Sequence, residues 1–224
     1  MGSTLLAWAR FWVPIRQIAA VPIRNFRNSG RVHIFFLVFL AALPLSAEEY
    51  QVVRDDSCRV RFTSKTQLDD FSGQSGSLDG FIYWRGAGLA GARELEHSRL
   101  LFELKLADFD TGIGLRNRHM REEVLETRLH PLATFTGRIA RVEKAEGGAY
   151  LLHLEGQLAL HGVERAFAAV VSASELPDGR IHLQGGFPIT LAQFNIPRPA
   201  FLGLKIAAEV QVEVDFLVSA AEKK

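Results

Sequence analysis

Residues 99–106 read RLLFELKL and residues 134–142 read TFTGRIARV, and both segments alternate apolar with polar or small side chains. This period of two is typical of β-strands with one buried face. Between them, residues 116–129 read RNRHMREEVLETRL, and the period becomes helical before Pro131 ends the pattern. The apolar residues at helical spacing are Met120, Val124, Leu125 and Leu129. We therefore expect one short amphipathic helix among strands, and we expect it to cover one end of a cavity.

The strand pattern extends over most of the remaining chain. It predicts a first strand over residues 50–63, a last strand over residues 204–218, and a particularly clear strand over residues 150–161. In this clear strand, His153 and His161 fall on the face opposite the leucines. About eight strands joined by short turns, without βαβ alternation, are typical of an all-β antiparallel sandwich or barrel. The interior of an eight-stranded barrel is either filled by side chains or holds one small ligand.

The N-terminal region has the composition of a secretory leader. Residues 32–44 (VHIFFLVFLAALP) form a short apolar run preceded by arginines and followed by Ser46-Ala47-Glu48. The run is shorter than the roughly 20 residues of a membrane-spanning helix, which disfavours a permanent anchor. We predict a signal peptide over residues 1–47 and a mature domain over residues 48–224, which is exported and, in a bacterial cell, periplasmic.

The charge of the predicted mature domain argues against nucleic acid as a partner. Residues 1–47 contain five arginines and no acidic residue, so the remainder has 26 − 5 = 21 basic and 25 acidic side chains, a net charge of −4. A nucleic-acid-binding protein needs a cluster of positive side chains to neutralise the phosphates of its ligand, and a net negative domain does not favour such a surface. Cys58 is the single cysteine, so the chain forms no internal disulfide. Along the predicted strand Cys58 faces the same side as Val60 and Phe62, which favours a buried, unreactive thiol.

Four motifs follow one another along the predicted mature domain: Thr111-Gly112, residues 116–120 (RNRHM), residues 130–135 (HPLATF) and residues 154–163 (LEGQLALHGV). In this order and spacing they resemble the YceI-like family of lipid- and polyisoprenoid-binding proteins. The likeness extends from about Tyr50 to Val218. It implies an exported, lipocalin-like antiparallel barrel of about eight strands, with one short helix at an end, that holds an isoprenoid chain or a related amphiphile. The sequence departs from the family at Asn117, where aspartate is common.

On this interpretation, the protein binds a polyprenyl phosphate, a quinone or a similar lipid. The apolar residues that we expect to line the lumen are Phe62, Phe81, Phe102, Leu104, Phe135, Leu154, Leu158, Leu160 and Phe187. The residues that we expect to receive the polar head are Arg116, Arg118, His119, Arg121 and Arg198, because guanidinium groups pair well with phosphate oxygens. The alternative for the helix is a solvated face with local pairs such as Arg118 with Glu122.

Two other functions remain alternatives. One is an enzyme that acts on a small amphiphile through His119 and the arginines, and the other is a periplasmic module that docks an inner-membrane electron-transfer protein. The second alternative predicts an exposed apolar patch and a filled interior. No catalytic residue, cofactor or metal site is predicted: His119 and Glu123 stand at i, i+4 without a further ligand at readable spacing, and His153 and His161 are too far apart along a strand to chelate. The sequence does not indicate an oligomeric state.

Overall fold

The computed structural model describes residues 47–65, 70–86, 88–92, 95–198, 200–201 and 204–221. The predicted leader lies outside these residues except for Ala47, with which the first strand begins. None of the helices in the described ranges is both long enough and apolar enough to cross a bilayer.

Twelve strands account for most of the described residues. They are β1 (Ala47–Val52), β2 (Arg59–Ser64), β3 (Phe71–Ser75), β4 (Leu78–Arg85), β5 (Arg99–Lys105), β6 (Leu132–Lys144), β7 (Tyr150–Leu160), β8 (Val163–Glu175), β9 (Ile181–Thr190), β10 (Ala200–Phe201), β11 (Leu204–Lys205) and β12 (Glu209–Ala220). Two short helices accompany them, α1 (Gly88–Gly91) and α2 (Gly114–His119), and α2 continues as a π-helical turn over Met120–Val124. Single 3₁₀ turns cover Leu95–His97, Leu106–Asp108, Glu146–Gly148 and Leu191–Phe194.

Eight antiparallel strands close into a barrel. The hydrogen-bonded order is β1-β4-β5-β6-β7-β8-β9-β12, and β12 pairs back onto β1, with Val218 opposite Val52. Further along β12, Val214 pairs with Val60 of β2, and β3 pairs with the other edge of β2. The prediction of a closed antiparallel barrel of about eight strands with one short helix is therefore confirmed.

The barrel bends where glycines let two strands approach closely. Gly137 of β6 lies opposite Gly156 of β7, and a Cβ on Gly156 would overlap the carbonyl oxygen of Thr136. Two residues further along β6 the register with β7 shifts between Ile139 and Arg141, as at a β-bulge. Glycine and a bulge are the usual means by which a sheet curves into a barrel.

Three predicted elements have different limits in the structure. The predicted first strand is divided, because a turn in which Cys58 N–H donates to the Asp55 carbonyl separates β1 from β2. The predicted last strand begins later, at Glu209, because residues 206–208 form a loop whose Ala207 N–H donates to the Lys65 carbonyl. The helical segment ends at Val124, and the left-handed backbone of Glu126 (φ 45°) turns the chain away, which leaves Leu129 72% exposed.

The end of the barrel next to β1 is filled by side chains. Tyr50 stacks on Trp84 with ring centroids 4.5 Å apart, and Trp84, Ile181 and Val218 are fully buried. Cys58 is buried in the same core, and this burial raises the pKa of its thiol. Side chains therefore fill this end of the barrel, whereas the end next to α2 encloses a cavity.

Candidate ligand cavity

A cavity of about 650 Å³ occupies the interior of the barrel next to α2. Its volume falls in the range of about 300–1,000 Å³ that is common for small-molecule sites. Of the described residues that line it, all but six are apolar. The interior therefore leaves room for a guest molecule.

The wall of the cavity contains most of the aromatic and aliphatic residues that the sequence pattern placed in the lumen. These are Phe62, Phe102, Leu104, Phe135, Leu154, Leu158, Leu160 and Phe187. Phe81 does not line the cavity. Its neighbour Ile82 does, and since side chains alternate along a strand, Phe81 lies on the outer face of β4.

Other residues of the wall were not singled out from the sequence. They include Leu100, Phe109, Phe167, Ala169 and Phe216. Phe109 follows a 3₁₀ turn, where no strand period signals its direction, and its ring meets that of Phe62 edge-to-face at 5.2 Å. Phe167 lies between Phe135 and Phe187, with ring centroids 6.0 and 5.0 Å away. Aromatic pairs of this kind give the wall a defined shape.

Polar groups line the cavity at the helical end, and we call them the polar rim. They are Ser64, Asp70, Ser72, Thr111, Arg116 and His119. Ser64 pairs across the β2–β3 ladder with Phe71, whose ring lies 4.7 Å from the guanidinium carbon of Arg116. Arg116 and His119 follow each other at one helical turn on α2. The cavity is therefore apolar in its depth and polar at one end.

Of the five residues predicted to receive a polar head, the structure brings Arg116 and His119 to the cavity. Arg118 is exposed and does not line it. Arg121 turns back along the chain, where its Nη2 donates to the Phe109 carbonyl at 3.1 Å. Arg198 closes its own loop by donating from Nη2 to the Ile206 carbonyl at 2.7 Å. Arg118 therefore faces solvent, and Arg121 and Arg198 are held by backbone carbonyls. None of the three lines the cavity.

Ser64 is a member of the polar rim that the sequence analysis missed. It is 1% exposed, lines the cavity, and its hydroxyl has no hydrogen-bond partner among the described residues. The alternation along β2 could have identified it, because Ser64 lies on the same inward face as Val60 and Phe62. A buried hydroxyl without a partner is costly, so a polar group in the cavity would satisfy it.

A hydrogen-bonded anchor holds the start of α2 to the chain before it. The buried Asn117 accepts at Oδ1 from the backbone N–H and the hydroxyl of Thr111, at 2.9 and 2.7 Å. Its Nδ2 donates to Asp110 Oδ1 at 2.6 Å, and that carboxylate also accepts from Gly112 N–H. These bonds explain asparagine at this position, since an ionised aspartate could not donate to Asp110.

The anchor predicts a pH dependence. The hydrogen bond from Asn117, followed by that from Gly112 N–H, holds the pKa of Asp110 below its ordinary value. A depressed carboxyl pKa contributes stability that is complete above the unfolded value of about 3.9 and is lost as pH falls through the lower folded value. We expect the melting temperature of the wild type to fall more steeply below about pH 4 than that of Asp110→Asn. Equal slopes in thermal melts of the two proteins would contradict this role.

A group of side chains outside the cavity lining also comes together. His161, which the strand pattern placed on the outer face of β7, is in fact buried, because the turn after β7 begins at His161 with a left-handed backbone (φ 51°). It contacts Glu126 at 3.1 Å and lies next to His130. His119 and Glu123, the pair visible in the sequence, form a separate contact of 2.9 Å at the rim.

The described fold matches known proteins. Residues 50–218 match the family model of the YceI-like domain. A polyisoprenoid-binding domain from Saccharophagus degradans, implicated in plant cell wall breakdown, is 20% identical, with 77% of this chain and 98% of that chain covered and a TM-score of 0.59. BcnA from Burkholderia cenocepacia is 19% identical, with 71% and 95% covered and a TM-score of 0.58.

The YCEI protein of Campylobacter jejuni is a more distant structural relative. It is 15% identical, with 70% of this chain and 88% of that chain covered and a TM-score of 0.52. Comparison with curated protein sequences finds no significant match. Because the family model covers most of the chain and the barrel has the same fold as these structures, the protein belongs to the YceI-like domain family.

Proposed function

We propose that this protein binds an isoprenoid-like lipid, such as a polyprenyl phosphate or a quinone, with its apolar chain in the cavity and its head at the polar rim. The observation that carries this proposal is the cavity of about 650 Å³ with an apolar wall and polar groups at one end. That division matches an amphiphile with one long apolar tail. The relative from Saccharophagus degradans, described as polyisoprenoid-binding, adds support.

The apolar wall provides the main driving force. Each methylene that leaves water contributes about 0.8 kcal/mol, so a prenyl chain of a few units gains enough to offset the cost of immobilising it. Most of the wall belongs to strands of the barrel, which are fixed before the ligand arrives. A preformed site reduces the ordering cost of binding.

The polar rim sets the orientation of the lipid. Arg116 is half-buried and its guanidinium rests on Phe71, which holds it beside the cavity instead of in free solvent. A phosphate oxygen is a suitable acceptor for this group, and the Ser64 hydroxyl is a further donor for a head that reaches it. Together these groups support a position of the head beside α2.

We propose further that the protein acts after export, in the periplasm, and that it holds its ligand without chemical change. The leader-like composition of residues 1–47 supports export. Cell fractionation and N-terminal sequencing of the mature protein test this location, and a mature chain that begins at Glu48 in the periplasmic fraction is expected. The cavity is contrary to the interaction-module alternative, which predicts a filled interior.

Displacement of a bound fluorescent lipophile by a prenyl phosphate and by the matching prenyl alcohol tests the proposal. Trp84 does not line the cavity, so an added fluorophore reports occupancy better than the intrinsic signal. We expect both lipids to displace the probe, and we expect Arg116→Ala to weaken the phosphate by about tenfold with little effect on the alcohol. Arg118→Ala, two residues away and exposed, is the control.

Failure of both lipids to displace the probe at any accessible concentration would contradict the binding proposal. Displacement that Arg116→Ala and Arg118→Ala weaken equally would contradict only the placement of the head.

A further inference from the structure

Glu126, His130 and His161 form a cluster that the proposed lipid site does not use, and we call it the His–Glu cluster. Their candidate ligand atoms all lie within 4.8 Å of one another. Glu126 follows the π-helical turn, His130 precedes β6, and His161 lies in the turn between β7 and β8. Two segments of the chain, the turn over residues 126–130 and the turn between β7 and β8, thus converge at one point.

The contacts of His161 indicate which imidazole nitrogen carries a hydrogen and which has a lone pair available for a metal ion. Its Nδ1 lies 3.2 Å from the carbonyl oxygen of Phe194, which can only accept, so Nδ1 carries the hydrogen. Its Nε2 then points at Glu126 Oε2, 3.1 Å away. An ionised carboxylate oxygen also only accepts, so a proton or a cation must lie between these two atoms.

This arrangement is the one that metal-binding histidines usually have. A metal-ligating imidazole commonly donates its other N–H to a backbone carbonyl, which fixes the ring and its tautomer. The side chain of His161 is only 7% exposed, so it is held in place, whereas that of Glu126 is 45% exposed and can adjust. Ligand atoms around tetrahedral Zn²⁺ lie about 3.3 Å apart, close to the observed spacing of His161 and Glu126.

The backbone is shaped to bring the three side chains together. Glu126 and His161 both have left-handed backbone conformations, with φ of 45° and 51°, which are uncommon for residues other than glycine. Gly162 also has a positive φ, of 73°, and a Cβ there would lie 2.7 Å from Cε1 of His130. Glycine at this position therefore leaves space for the second imidazole beside the first.

We propose that the His–Glu cluster binds a zinc ion through His161 Nε2, an imidazole nitrogen of His130 and the carboxylate of Glu126. Two imidazoles and one carboxylate are a donor set that zinc accepts, with a fourth position left for water. None of the three residues lines the lipid cavity. The ion clamps the segment that leaves the helix to the β7–β8 turn, and this role does not depend on the identity of the lipid.

Zinc titration of the purified full-length chain, after treatment with a chelator and its removal, tests the proposal. Calorimetry gives the stoichiometry and affinity, and Co²⁺ in place of Zn²⁺ reports ligand geometry through its visible absorption. We expect one zinc ion per chain. We expect Glu126→Gln and His130→Gln each to lower the affinity for zinc by at least 10- to 100-fold, which is roughly the effect of removing a residue that only hydrogen-bonds to a metal ligand. Both residues are partly exposed, so these variants should fold.

His153→Gln is the matched control. His153 Nε2 lies 3.3 Å from Glu143 Oε2, so it forms a histidine–glutamate contact of the same kind on the outside of the barrel. We expect His153→Gln to bind zinc like the wild type, and zinc to raise the melting temperature of both proteins but not that of Glu126→Gln. Absence of saturable zinc binding would overturn the proposal and indicate a proton between His161 and Glu126. Binding that Glu126→Gln and His130→Gln leave intact would also overturn it.

Discussion

Replacement of Ala169 by tryptophan is expected to abolish lipid binding while the barrel remains folded. Ala169 lines the cavity from β8, between the larger Phe167 and Val171, and its small side chain leaves part of the lumen open. An indole that displaces about five methylenes of a prenyl chain, at about 0.8 kcal/mol each, lowers affinity by about 4 kcal/mol, or roughly a thousandfold. The displacement assay measures this loss.

The neighbouring residue provides a matched control. Ala168 lies on the same strand but is exposed, so Ala168→Trp adds the same side chain to the outer face. It should bind lipid like the wild type. Because the indole of Ala169→Trp enters space that is already empty, its melting temperature should change less than that of a fully packed core variant, for which overpacking costs about 1–3 kcal/mol. Tight binding by a folded Ala169→Trp would place the ligand outside the cavity.

Replacement of Asn117 by alanine should destabilise the protein more than replacement of an exposed residue of the helical segment. It removes the acceptor of two Thr111 donors and the donor to Asp110. Leaving polar groups without partners costs about 1–3 kcal/mol, and a loss of about 2 kcal/mol corresponds to a fall of roughly 4–8 °C in melting temperature for a chain of this size. Thermal melts followed by circular dichroism measure the change.

Two further variants separate the anchor from a general effect on the helix. Arg118→Ala alters an exposed neighbour on α2 and should change the melting temperature little. Asn117→Asp keeps an acceptor for Thr111 but brings a carboxylate against Asp110, so it should be destabilising at neutral pH and recover as one carboxyl becomes protonated on acidification. If Asn117→Ala and Arg118→Ala have the same melting temperature, the anchor contributes nothing.

The strands were predictable from the sequence because their side chains alternate clearly. In β7 a leucine or glycine occupies every second position from Leu152 to Leu160, and Leu154, Leu158 and Leu160 all line the cavity, on the face that this alternation predicts. Residues 81–84 read FIYW, and in such a run of apolar residues the sequence does not indicate which ones face the interior. For this reason the prediction that Phe81 lines the lumen is wrong. Alternation predicts direction only where one of the two faces is polar.

The polar residues were harder to place. The sequence showed arginines and a histidine close together. Arg116 and His119 lie one helical turn apart and line the cavity, whereas Arg118, between them in the sequence, is exposed and does not line it. His161 was misplaced because the strand period was extended one residue into a turn with a left-handed backbone. The His–Glu cluster depends on contacts between residues up to 35 positions apart, which no local spacing indicates.

Mass spectrometry of the organic extract of protein purified from its native host tests the central claim most directly. If the barrel carries a lipid in its cavity, the wild type and Ala168→Trp should release the same prenyl lipid in near-stoichiometric amount, chemically intact, and Ala169→Trp should release almost none. Extracts of the wild type that reproducibly lack a prenyl lipid, or extracts of Ala169→Trp that contain as much of it as the wild type, would contradict the account.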